Sequence, residues 1–220
     1  MSLFPIIPPF VAPVTVSFIE DAVDLTDLTA YTFAATAFGS PTLDAGKLLL
    51  GITGRRGGGT SPNGGISTVT ESGNSCALVK AQGSDANVTE LWQLHGRSAG
   101  ALGSIVITFV NDQNKCMVTL ALMKDAAEAA AATASSTANP LSASLAIPAS
   151  GAAVGVANNA DTGTATWTNL TEVVDADSGE TMSYTMAQKA VTAAETPTIE
   201  CQWSAGVTSS NMCLAAWTPA

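Results

Sequence analysis

Residues 104–123 read SIVITFV, NDQN, KCMVTLALM, and the way this stretch is read decides the fold class. Ile105, Ile107 and Phe109 alternate onto one face of the first run. Cys116, Val118, Leu120 and Leu122 do the same in the second. A period of two marks strands that bury one face. The four polar residues between them, Asn111, Asp112, Gln113 and Asn114, have the composition and length of a hairpin turn. The two runs are therefore expected to pair antiparallel.

Similar short segments lie on both sides. Before this stretch they fall at 14–19, 31–38, 47–53 (with "LLL" at its centre), 66–70, 76–81 and 88–95. After it they fall at 141–147, 152–158, 164–167, 181–187, 198–203 and 212–217. Turn residues separate them, and no fixed-period repeat is visible. The pattern predicts an all-β protein, an antiparallel β-sandwich of jelly-roll-like type with roughly twelve strands. Only residues 124–133, KDAAEAAAAT, favour helix, which predicts one short Ala-rich helical crossover.

Residues 1–13 read differently. Pro5, Pro8, Pro9 and Pro13 withhold backbone donors and favour an extended chain. Between them stand Phe4, Ile6, Ile7, Phe10 and Val11, apolar groups that gain by docking on a neighbour. The expected organisation is an arm over 1–13, with Phe4, Ile6, Ile7, Pro8, Pro9, Phe10 and Val11 as partner contacts, followed by one sandwich domain over 14–220.

Composition narrows the function. Of 220 residues, 8 are Lys or Arg and 18 are Asp or Glu, for a net charge of −10. No cation precedes Lys47, while Glu20, Asp21, Asp24, Asp27 and Asp44 do. Nucleic acid and anionic membranes both select for clustered cations, so neither is an expected partner. Charged residues are 12% of the chain, about half the usual share, which suits lateral packing against neighbours. The N-terminus has no cationic start and is broken by prolines, so synthesis in a cytoplasm without a signal peptide is expected. Cys76, Cys116, Cys201 and Cys213 form no CxxC pair and are expected to be buried thiols, not zinc ligands or disulfides.

Motifs for chemistry are few. GITGRRGGGTSPNGG, residues 51–65, lacks the Lys-Ser/Thr of a Walker loop and the spacing of a dinucleotide loop, so it reads as a long turn. His95 is the single histidine, and no G-x-S-x-G elbow supplies a nucleophile for it. The run DADSGE, residues 175–180, lacks the ligand set of a helix-loop-helix calcium site and reads as a solvated hairpin tip, with a looser calcium site as the alternative. Trp203 and Trp217 alternate with apolar residues and read as core. Trp167, before a turn, is expected to be partly exposed, and with Arg55 and Arg56 forms the candidate glycan contact. No catalytic residue, metal or cofactor is predicted.

One resemblance emerges. TATWTNLTEVVDADSGETMSYTMAQKAV (164–191) and IECQWSAGVTSSNMCLAAWTP (199–219) resemble β-sandwich accessory proteins encoded among the virion genes of tailed bacteriophages. YTFAATAFGS, KLLLGITGR, GSIVITFV and KCMVTLALM fall where that group keeps its corresponding strands. The shared motifs are structural, and the likeness covers residues 31–219. It implies a non-enzymatic virion protein, a capsid decoration (cement) or head-spike subunit. Such a protein would be homo-oligomeric and bound to the major capsid protein or another virion protein. The alternative is a tail- or fibre-associated receptor- or glycan-binding module.

Overall fold

The computed structural model describes residues 11–56, 64–84, 87–178, 182–204 and 209–220. The strands are β1 (Thr15–Asp24), β2 (Leu28–Phe33), β3 (Thr42–Leu43), β4 (Gly46–Arg55), β5 (Ile66–Glu71), β6 (Asn74–Ser75) and β7 (Ala77–Ser84). Next come β8 (Asn87–Arg97), β9 (Gly100–Ala101), β10 (Ile105–Gln113), β11 (Lys115–Lys124), β12 (Ala132–Ser136) and β13 (Leu141–Ser144). The last are β14 (Ala152–Asn159), β15 (Ala165–Thr168), β16 (Thr171–Asp177), β17 (Ser183–Ala190), β18 (Thr198–Trp203) and β19 (Ser210–Trp217). A single 3-10 turn, Ala35–Phe38, is the one helical element among the described residues.

Four sheets carry the fold. The outer N sheet runs β2-β10-β5-β6 and the inner N sheet β1-β11-β4-β8-β7. The inner C sheet runs β12-β19-β14-β17-β16 and the outer C sheet β13-β18-β15. Take β1, β2, β4, β5, β6, β8, β10 and β11 as first to eighth. First then pairs with eighth, second with seventh, third with sixth and fourth with fifth, all antiparallel. That is the pairing order of a jelly roll. The second half repeats it: β12 pairs with β19, β13 with β18 and β14 with β17. Its fifth strand, β16, has moved beside β17 in the inner sheet, the seat that β7 takes beside β8 in the first half. The duplication lies in pairing order and leaves no sequence period, because equivalent connections differ in length. Residues 56–65 join β4 to β5, and residues 160–164 join β14 to β15.

Three large cores and a small fourth one, of Met117, Met182 and Tyr184, hold the stack. Tyr31, Leu48, Leu50, Ile52, Ile107 and Val118 fill the first jelly roll. Trp167, Ile199, Cys201, Trp203 and Leu214 fill the second. Leu49, Leu91, Ala121 and Met123 meet Val154, Val156, Cys213, Ala215 and Trp217 between the two inner sheets. This explains the "LLL" of β4. A strand buried on both faces has no use for alternation. Gly51 is required at the crossing of β4 over β14, since any β-carbon there would collide with Val156 and Thr119.

Four expectations are corrected. Strands number 19 among the described residues, because four two-to-five-residue edge strands and β16 escape the periodicity. The stretch 31–38 is the end of β2 followed by the 3-10 turn. β10 and β11 do not pair. The chain bends at Asn114, whose N–H donates to Arg55 O at 2.7 Å, and passes from the outer to the inner N sheet. The helical crossover is absent from the described residues. Residues 124–133 follow an irregular, bent path beside the C-terminus, with Ala126 bridging Pro219, Ala127 N–H on Thr218 O at 3.0 Å and Ala131 N–H on Ala216 O at 2.7 Å. Alanine's helix preference, a few tenths of a kcal/mol per residue over ordinary neighbours, loses to these tertiary bonds.

Gly51→Ala is therefore expected to wedge the inner sheets apart and cost about 1–3 kcal/mol, read as a lower urea midpoint. An unchanged midpoint would mean that the sheets do not pack closely at this point.

Candidate functional site

The sequence-predicted contacts do not converge. Phe4, Ile6, Ile7, Pro8, Pro9 and Phe10 lie outside the described residues, and Val11 is 51% exposed. Trp167, expected to be partly exposed, is buried in the second core, and its Nε1–H donates to Thr185 Oγ1 at 2.9 Å. It sits in β15, whose alternate side chains face inward, so it offers no stacking face. Arg55, at the end of β4, reaches across to the second jelly roll and donates to Ala160 O at 2.5 Å. It serves there as a tie between the halves. Arg56 is half-buried beside it. The first three residues of DADSGE close β16, and Gly179 and Glu180 lie outside the described residues.

The buried ionisable side chains are spent on internal structure. Lys47, inside the "KLLL" run, is buried to 2% exposure. Its ammonium donates to Ala127 O at 2.6 Å and Glu128 O at 2.9 Å and stands 5.1 Å from the centre of the Trp217 ring. Burial pushes its pKa down to about 8. Trp217 Nε1–H in turn donates to Gln93 Oε1 at 3.3 Å. Glu90 accepts from Ile66 N–H at 2.9 Å and Trp92 Nε1–H at 2.7 Å, and burial raises its pKa. On the opposite half of the same seam, Tyr184 donates to Asp21, and Asn158 Nδ2 donates to Val88 O at 3.2 Å.

Two clefts flank the loop that follows β8. One, of about 350 Å³, is lined by Ser72, Asn74, His95, Arg97 and Ser98. The other, of about 340 Å³, is lined by Lys47, His95, Ser98, Asp125 and Ala220. His95 is exposed between them. Arg97 is buried, 3.7 Å from Glu71, and donates to Ser98 O, Gly100 O and Ala101 O. Its guanidinium folds the loop. Ser72 and Ser98 line these clefts with His95, and among the described residues no hydrogen bond joins either serine to its ring, the contact a hydrolytic triad requires. A third groove, of about 360 Å³, holds Asp175 and Asp177 with Thr164 and Ser204. Asp175 Oδ2 accepts Ala165 N–H at 2.9 Å, and burial raises the Asp175 pKa. Among the described residues, no three His, Cys, Asp or Glu side chains are grouped to hold a metal ion.

Comparison with known protein families, with characterised proteins and with solved structures returns no match for this chain.

All four cysteines are free and buried, as the sequence implies. Burial raises every thiol pKa, that of Cys76 to about 12 from an ordinary 9.0. Such thiols stay protonated and are poor nucleophiles. They also set an alkaline limit. A folded pKa above the unfolded one gives stability that is complete below pH 9 and is lost as pH rises past it. Lys47 works the other way, adding stability as pH climbs from about 8 towards 10.5. Four thiols outweigh one amine. The urea midpoint is expected to fall steadily above pH 9, and a midpoint that still rises at pH 10 would contradict the burial of these groups.

Proposed function

We propose that this chain is a non-enzymatic structural subunit of a tailed-phage particle, a capsid decoration (cement) or head-spike protein that acts through its surfaces. One observation carries the reading. The buried groups that could do chemistry are engaged in internal contacts: four protonated thiols, Lys47, Glu90 and the Glu71–Arg97 pair. What faces outward is broad strand surface of short hydroxylated side chains, such as Ser144, Thr166 and Thr168. Jelly rolls recur in viral capsid proteins and in lectins, which supports the reading by analogy of fold. The resemblance of its strand and turn motifs to those of phage accessory proteins supports it from the sequence. The major capsid protein or another virion protein is the partner, with the arm, Phe4 to Val11, as clamp and a homo-oligomer as the binding form.

A second reading keeps a receptor- or glycan-binding module on the tail. Trp167, buried in the second core, no longer serves it, and the half-buried Arg55 and Arg56 lose it as a stacking partner. The polar cleft with His95, Asn74 and Ser98 is the feature that favours it.

Deleting residues 2–13 is expected to abolish attachment to particles while circular dichroism stays that of the folded β protein. Full attachment of the truncated chain would overturn the arm's role. Binding of soluble saccharides that is lost in Asn74→Ala would favour the tail reading instead.

A further inference from the structure

The inner N sheet exposes Val23 and Leu78 on its edge strands β1 and β7, and the two outer sheets each leave an outward face uncovered. These differ in chemistry. The outward face of the outer C sheet carries only Ser, Thr, Gln and Glu side chains, among them Ser144, Thr166 and Gln202. The outer N sheet presents Leu28, 40% exposed, and Val110, 57% exposed, with Leu25, 45% exposed, on the adjoining β1–β2 connection. Exposed Asp27 and Asp112 flank them.

This end of the sheet is held in one shape. The Tyr31 hydroxyl lies 2.8 Å from Thr26 O and 2.7 Å from Gln113 O, sharing its proton between two carbonyls. Asp24 Oδ1 accepts Thr26 N–H at 2.9 Å, and Thr29 Oγ1 donates to Asp112. A pre-shaped apolar patch loses little entropy when it is covered.

We infer that the patch of Leu25, Leu28 and Val110 docks on a basic protein surface of the particle, with Asp27 and Asp112 meeting its lysines or arginines. Charge selects this occupant. A second copy would bring the same carboxylates face to face in a symmetric contact, on a chain of net charge −10. Phosphate backbones and anionic lipids are repelled for the same reason. The assignment rests on the virion reading above, and it adds a rigid contact at the opposite end of β1 from the arm.

The test is carbodiimide cross-linking of particles made by the replicon that carries this gene, read by mass spectrometry. The reagent joins carboxylates to lysines in direct contact. The expected products join Asp27 or Asp112 to lysines of another virion protein. The pair Leu28→Ser and Val110→Ser, both exposed positions, should keep the fold and lower particle occupancy roughly tenfold. Particles that contain the chain, but link it only through other carboxylates or to a second copy, overturn this surface and leave the virion reading standing. Unchanged occupancy of the double variant overturns it as well. Particles free of the chain overturn both.

Discussion

Gly51 lies where β4 crosses β14, and the rest of the structure depends on how close those strands come there. A side chain at that point would strike Val156 and Thr119, so the inner sheets meet only because the position is bare. Close approach lets Leu49, Leu91 and Met123 pack on Val154, Val156 and Trp217 and turns two jelly rolls into one four-layer stack. Lys47 secures one end. Its ammonium caps two carbonyls of the crossover above the Trp217 ring, and the rim of the seam is thereby closed without a helix. The other end is polar. Thr53, Asn87, Thr89 and Asn211 are buried there, with Arg55 reaching over to Ala160 O. The apolar half supplies the adhesion, while the polar half constrains how the two jelly rolls align.

That division bears on function. The thiols, the buried amine and the buried carboxylates are engaged in internal packing, and the proposed reading assigns the work to the surface. The surface is acidic, sparsely charged and built from strand faces, which suits contact over area more than capture of a small molecule. The polar outer C face and the leucine- and valine-bearing outer N face give the stack two unlike sides. The proposed particle-bound subunit would use such a difference, one side for its support and one for solvent.

Much of the fold was legible in the sequence. Period-two alternation located most of the long strands, while the unbroken apolar run of β4 gained its meaning, burial on both faces, only from the stacked sheets. The four widely spaced cysteines read correctly as buried thiols. The misreadings share a cause, in that local composition does not state which sheet a strand joins. NDQN is as good a hairpin turn as it is a corner, and only the partners of β10 and β11 tell them apart. The alanines of 124–133 prefer helix until Thr218 and Ala216 offer their carbonyls. Trp167 stands before a turn, as exposed tryptophans do, yet its neighbours in β15 alternate it inward. Lys47 within "KLLL" was the overlooked signal, because a lysine in a doubly buried strand must have acceptors waiting. The candidate contacts were less legible than the fold, since surfaces are set by which faces remain uncovered after the layers stack.

Differential scanning calorimetry of the full chain tests the stack most directly. If the inner seam welds the two jelly rolls, unfolding is a single transition whose calorimetric and van't Hoff enthalpies agree. Two resolved transitions, each with the enthalpy of one jelly roll, would contradict the account and leave the halves as independent domains joined by a crossover.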